Sequence, residues 1–463
     1  MSISSSFSRR HFLAQASAIS FGFSPLAQLL AAAGGNREKA LAGAGFGTLR
    51  PVRDGTTGLP LLRLPAGFSY VTFAWAGEAL SDGSPCPGAH DGMGVVKQEG
   101  DRLTLIRNHE ISKLEGVFSA SAPQYDSFCG GGATKLIFDG KRGELLEATP
   151  ALAGTLTNCG GGVTPWGSWL TCEEIVVQAG SKTDVHSQVV SLEHDHGFLF
   201  EVPADGRASA VPLRAMGQFR HEAVAFHAPS GAFFLTEDRE PSAGFYRFLP
   251  AVAGKLEAGG RLQMLRAKSR TDLRSGLQIG ESLATDWVDI EHPERGFDAR
   301  GGIDGVQSQG FALGAARFTR LEGCIASADE VFFTATNGGD AACGQVFAYC
   351  VSSGELRLVY ESADPDVLDY PDNIVLSPRG GLVICQDAKR SLQKLFGLTA
   401  GGELFTFAEQ NVVLDGTRGF SGDFRGAEWA GCCFSPDGHW LFANVYSPGF
   451  SVAITGPWRD GLI

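Results

Sequence analysis

Runs of alternating or continuous apolar residues recur along the chain, and each stops abruptly on a carboxylate or an amide. RLTLIRNHE ends on Glu110, GSWLTCEE on Glu174, GAFFLTED on Asp238, EVFFTATN on Asn337, GGLVICQD on Asp387 and GHWLFAN on Asn444. Each opens near Gly, Asp or Glu and has the length of a β-strand. Successive ends lie 64, 64, 99, 50 and 57 residues apart. Most runs are followed, across a Gly-containing turn, by strand-like partners: HGFLFEVPADG, GFYRFLPAVAG, CGQVFAYCVSSGELRLVYE and QKLFGLTAGGELFTFAE. Repeats of this kind predict an all-β chain folded as a six-bladed β-propeller. The 99-residue interval holds the polar stretch RAKSRTDLRSGLQIGESLATDWVDIEHPERGFDARGG, read as an insertion between blades with some helix.

Equivalent strands of a propeller point the same way, so their ends converge on one rim of the central channel. Carboxylates gathered there repel one another and raise each other's pKa. Hard cations such as Ca²⁺ suit an oxygen cage of this kind.

Composition agrees with this picture. The 62 glycines and 32 phenylalanines fit turns and aromatic strands. The net charge of −13 argues against nucleic acid, which needs basic surface. It also repels anionic substrates unless bound cations reverse the sign locally. Near the start, SRRHFL (Ser8 to Leu13) precedes a moderately apolar run and small residues. This is the layout of a twin-arginine export signal, assigned with a short linker to residues 1–42. It implies the twin-arginine export machinery as a partner and a periplasmic or secreted destination. The run is broken by Gly22, Ser24 and Pro25, which makes it a poor membrane anchor. Residues 43–463 are then expected to form one catalytic propeller domain, and nothing in them suggests an oligomer. The ten cysteines follow no zinc-ribbon or CxxC pattern, so free buried thiols are expected, with one or two bridges at most.

The densest chemistry lies in GTLTNCGGGVTPWGSWLTCEE. Asn158 and Cys159 precede three glycines, which permit close approach of backbone and ligand. A thiolate beside carboxylates favours a transition metal over Ca²⁺ alone. GQFRHEAVAFH supplies Arg220, His221 and Glu222, and RFTRLEG supplies Arg320 and Glu322, two apart and so on one side of a strand. Each Arg beside an acid is either a plain ion pair or a bidentate grip for a phosphoryl oxygen. YPDNIVLSP gives Asp372 and Asn373, and GAHDGMG gives His90 and Asp91. No G-x-S-x-G, H-E-x-x-H or P-loop motif is present, against the serine-hydrolase, zincin and nucleotide-binding classes.

HDGM, RNHE, GGGATK, TNCGGGVTPWGSWLTCEE, GQFRHEA, TED with GFYRF, RFTRLEG, PDNIV and AGCCFSPDGHWLFANVYSPG, together with the twin arginine, resemble the PhoX family of alkaline phosphatases. The resemblance runs in order over nearly the whole mature chain. It implies a six-bladed propeller with iron(III) and calcium at one end of the channel, hydrolysing small-molecule phosphate esters. Carried over motif by motif, Cys159 is an iron ligand, and Glu222 and Glu322 are further iron or bridging ligands. Arg320 grips the phosphate, with Glu322 and Asn158 as its catalytic companions. Glu174, Asp238 and Asp372 are candidate calcium ligands. There are two departures: the chain is shorter than typical members, and Gln386 stands where an acid is expected, at the cost of one metal ligand. Two other readings use the same ring. One is a calcium-dependent propeller lactonase or esterase; the other is a non-catalytic exported binding propeller. Neither needs Cys159 or Arg320.

Overall fold

The computed structural model describes residues 45–180, 182–185, 188–389 and 392–463. The twin-arginine segment lies outside the described residues. The chain is all-β, with one α-helix, Gly305–Ala312, among the described residues. No described helix is long and apolar enough to cross a membrane.

The strands make a β-propeller arrangement of antiparallel sheets. His90–Glu99, Arg102–His109, Gly131–Asp139 and Glu144–Thr155 form one sheet, and Asn158–Val163, Ser168–Glu173 and Leu199–Pro203 the next. A nine-stranded sheet begins at His221–His227 and ends at Leu321–Ala326. Pro371–Leu376 opens a fourth sheet, widened on its far side by Leu62–Leu64 and Arg50–Val52. Trp429–Phe434 opens a fifth, whose outer strand is the N-terminal Ser69–Phe73, with Tyr70 opposite Ile454. One strand from each repeat lies innermost. His90–Glu99 packs beside Asn158–Val163, followed in turn by His221–His227, Leu321–Ala326, Pro371–Leu376 and Trp429–Phe434, which packs back on His90–Glu99.

All six apolar runs are strands, but each is the second of its repeat. The innermost strands are the shorter motifs before them, such as HDGMG, NCGGG and HEAVAFH. Their glycines and carboxylates hid the strand pattern. The polar insertion contains the strand Ser282–Asp289, which pairs with Gly260–Ala267 on one side and Glu355–Glu361 on the other, joining two repeats into the nine-stranded sheet. The helix Gly305–Ala312 also comes from this insertion.

Aromatic side chains glue the two repeats of the nine-stranded sheet together. Phe245 stacks on Phe333 with ring centroids 4.1 Å apart, and Phe333 on Phe347 at 5.3 Å, all three fully buried. Each such ring contributes roughly 1.5–3 kcal/mol of burial. All ten cysteines are free thiols, seven of them buried.

Candidate metal centre

The pairing register slips at the same place in every innermost strand: between His90 and Met93, Asn158 and Gly161, His221 and Val224, Leu321 and Cys324, Pro371 and Ile374, and Ala430 and Cys433. Such bulges re-aim side chains. Within five of the slips stands a metal-binding residue type, followed in four by a smaller residue: Asp91-Gly92, Cys159-Gly160, Glu222-Ala223 and Glu322-Gly323, with Asp372-Asn373 the fifth. The glycines let adjacent strands close up. A Cβ on Gly160 would abut the Glu222 backbone and lie 2.8 Å from Glu222 Oε1; one on Gly323 would lie 2.7 Å from the Asp372 carbonyl.

The residue beyond each second strand is fastened to the residue before the first. The amides of Glu110, Glu174, Asp238, Thr336, Asp387 and Tyr446 donate to the carbonyls of Ala89, Thr157, Arg220, Arg320, Tyr370 and Glu428, at 2.9 to 3.2 Å. Ala89, Thr157, Arg320 and Tyr370 adopt φ of 47°, 50°, 41° and 53°. This left-handed conformation costs a non-Gly residue about 1–3 kcal/mol. It persists because the ring bonds hold it. Thr336 and Tyr446 occupy the positions expected for Asn337 and Asn444. Asn337 instead bonds Glu240 and accepts from Thr319 Oγ1.

Two residues before four of the six ring positions, a polar side chain crosses to the next repeat. Asn108 Nδ2 donates to the Cys159 carbonyl (2.8 Å), Thr236 Oγ1 to that of Glu322 (2.5 Å), Thr334 Oγ1 to that of Asp372 (2.8 Å) and Asn444 Nδ2 to that of Asp91 (2.5 Å). The metal-binding residues are thereby held from behind by their neighbours. Cys172 and Cys385 occupy the remaining two positions.

These devices bring together nine carboxylates, the Cys159 thiol and two guanidinium groups. Glu110, Cys159 and Glu174 form one cluster, Glu222, Glu322 and Asp372 a second, and Asp372, Asp387 and Glu428 a third, each with donor atoms within 4.8 Å of one another. Cys159 Sγ is 3.8 Å from Asp91 Oδ2. Arg220 pairs with Glu174. Arg320 pairs with Asp238 through Nε (3.0 Å) and Nη2 (2.9 Å), and with Glu322 through Nη2 (2.5 Å). Burial, followed by mutual repulsion, pushes the acids upward: Glu110 and Asp372 to about 7, Asp387 to about 6, and Asp91, Glu174, Glu222, Glu322 and Glu428 well above the usual range. Burial likewise raises the Cys159 thiol. Glu222 Oε2 is buried with no hydrogen-bond partner. Two arginines cannot balance this set, and an orphaned carboxylate oxygen asks for a cation. The donors fit metal ions: carboxylates for a hard ion, and a thiolate among them for a transition metal.

Of the residues singled out from sequence, Cys159, Glu174, Glu222, Asp238, Arg320, Glu322 and Asp372 meet here. Asn158 does not belong with them. Its Oδ1 accepts from Thr155 Oγ1 (2.6 Å) and its Nδ2 donates to Thr171 Oγ1 (2.8 Å), so the amide is taken up within its own sheet. Gln386 needs a second correction. Its Oε1 accepts the Lys394 amide at 3.2 Å, and its equivalents Glu173 and Glu237 also bond inside their own repeats, so no ring ligand is missing there. Asp91, Glu110, Asp387, Glu428 and Arg220 complete the centre. Asp91 stands out in its own motif without a role; the recurring acid or thiol at one place in HDG, NCG, HEA, LEG and PDN is the signal that gives it one. Glu428 fills the position of Arg220 and Arg320 and carries no such signal.

The sequence matches the family described as alkaline phosphatase PhoX over residues 44–136 and 141–449. No curated protein gave a significant match. Among solved structures, a gluconolactonase from Xanthomonas campestris is 14% identical, with TM-score 0.38 over 83% of this chain and 100% of that one. A putative gluconolactonase is 10% identical, with TM-score 0.42 over 89% and 100%. An oligogalacturonate lyase in complex with manganese is 10% identical, with TM-score 0.36 over 84% and 97%.

Proposed function

The chain belongs to the PhoX alkaline phosphatase family, and from that premise we propose that it is an exported metallophosphatase acting on small-molecule phosphate esters, with iron(III) and Ca²⁺ in the acidic ring. The observation that carries this reading is the position of the Cys159 thiol. It lies among the carboxylates rather than in a sheet core. A lactonase or binding propeller has no use for it there.

Cys159, Glu222 and Glu322 would hold iron; Glu174, Asp238 and Asp372 would hold calcium. Bound ions supply Lewis-acid polarisation of the phosphoryl group and offset the charge of the ring. The chain's own contribution is positioning. Arg320, fixed by Asp238 and Glu322, is placed to hold phosphoryl oxygens and stabilise the charge that builds on them. Arg220 offers a second cation beside Glu174. The nine-stranded sheet reads as two blades welded by Ser282–Asp289, which makes six blades in all, and the ring bond repeated six times supports that count. Residues 43–463 act as one monomeric catalytic domain, delivered by the twin-arginine machinery to the periplasm or beyond.

Elemental analysis of the purified protein and of Cys159→Ala, with activity followed on an aryl phosphate and on a lactone, tests this. Iron and calcium in the wild type, with iron and phosphatase activity lost in the variant, are expected. Calcium alone with lactone turnover would replace the reading. Arg9→Lys with Arg10→Lys should trap the protein inside the cell.

A further inference from the structure

Between the first sheet and the sheet that carries Cys159 lies a second donor cluster that the phosphatase reading does not use. Asp126, Cys129 and His196 are all fully buried, with donor atoms within 4.8 Å of one another. His196 Nε2 is 3.5 Å from Asp126 Oδ2 and 3.6 Å from Cys129 Sγ. The first distance is too long for a good hydrogen bond. Both match the edges of a coordination tetrahedron: zinc bonds of about 2.0–2.3 Å to N, O and S imply N···O and N···S separations of roughly 3.4 and 3.6 Å.

A second, independent feature points the same way. His196 Nδ1 is bonded to Glu173 Oε1 at 2.6 Å, and Glu173 is itself held by the amides of Leu156 (2.9 Å), Gly197 (2.8 Å) and Phe198 (3.2 Å). This carboxylate–histidine pair orients the ring so that Nε2 faces Asp126 and Cys129, as second-shell carboxylates do for metal-bound histidines. The D-x-x-C spacing of Asp126 and Cys129 also suits one ion. We propose that Asp126 Oδ2, Cys129 Sγ and His196 Nε2 bind a zinc-class divalent transition ion, distinct from the channel metals, with water at the fourth vertex. The sulfur and nitrogen donors exclude Ca²⁺. Tyr125 packs edge-on against His196 and separates the cluster from a surface cavity of about 640 Å³ that it lines with His194 and Arg214. Asp126 Oδ2 already accepts the amides of Glu193 (2.7 Å) and His194 (3.2 Å), and the ion reinforces this tie between the 126–129 and 193–196 loops behind the strand that ends in Glu173.

Crystals of the purified full-length protein, grown from zinc-supplemented culture and measured just above and below the zinc edge, test this without any variant. An anomalous peak bonded to His196 Nε2, Cys129 Sγ and Asp126 Oδ2 is expected. No peak there, in crystals whose channel carries its metals, overturns the site and leaves a buried histidine shared between two acids. Cys129→Ala and His196→Asn should each lose one equivalent of zinc and keep the channel metals. An unchanged zinc count in a folded variant also overturns the proposal.

Discussion

Glu173 and Glu174 are adjacent in sequence, yet their carboxylates serve two different clusters: Glu173 bonds His196 at 2.6 Å, while Glu174 stands beside Glu110 and Cys159 and pairs with Arg220. The alternation of a strand sends consecutive side chains to opposite faces. Glu174→Gln is therefore expected to lose channel metal and most activity with little change in fold. Glu173→Gln should lower stability by about 1–3 kcal/mol through its broken buried bonds and retain channel metal. Metal analysis and denaturant melts of the two variants separate these outcomes.

Arg320 holds Asp238 through two nitrogens and reaches Glu322 with one of them. A lysine carries the charge but not the fork. Arg320→Lys is expected to lower kcat/KM on an aryl phosphate on the order of 10²–10³-fold, the scale seen for loss of one preorganised donor. Near-normal kcat/KM in Arg320→Lys would remove Arg320 from phosphate recognition.

Chelation should invert the pH dependence of stability. Without cations, Glu110 and Asp372 titrate at about 7 and Asp387 at about 6, all raised by burial. For acids with raised folded pKa, the stabilising contribution is complete below the unfolded value of about 4 and is lost as pH climbs through the folded one. Chelated protein should therefore melt at a higher temperature near about pH 5 than near about pH 8, and metal-replete protein should not show that decline. Equal melting temperatures for the chelated form would contradict this. Refilling the site near neutral pH should release protons, measurable by calorimetry in two buffers.

Gln386→Glu is expected to add no metal. The side chain accepts an amide inside its own sheet, so a carboxylate there brings a buried charge with no cation to meet it. A rise in calcium content would restore the idea that the ring lacks a ligand at this position.

Gly160→Ala tests the close approach of inner strands. The added Cβ meets the Glu222 backbone and Oε1, and backbone cannot yield as a flexible side chain can. A loss of about 1–3 kcal/mol and weaker metal retention are expected, read from melts and elemental analysis. Wild-type behaviour would show that the strands have slack.

The repeat was legible because second strands such as Ala232–Glu237 and Leu382–Gln386 begin as unbroken apolar runs and are followed at once by Asp238 and Asp387. The inner strands were not, because a bulge breaks the two-residue period where Cys159-Gly160 or Glu322-Gly323 sits. The same break misplaced two ring positions. Asn337 and Asn444 looked like strand ends by residue type, whereas the backbone count puts Thr336 and Tyr446 there. Asn158 adjoins Cys159 in sequence, but neighbours on a strand face opposite ways. Glu428 has no residue-type signal; its place is marked only by its carbonyl, which accepts the same ring bond as those of Arg220 and Arg320.

The outer strand of the last sheet is Ser69–Phe73, paired along its length with Phe450–Thr455. The two ends of the chain thus meet as a clasp, and the strands carrying Asp91 and Glu428 become neighbours at that junction. A ribosome-bound or truncated chain has no clasp and only an arc of the ring. The cluster of Asp372, Asp387 and Glu428 is therefore completed only by the last sheet, whereas Glu110, Cys159 and Glu174 already meet within the first two.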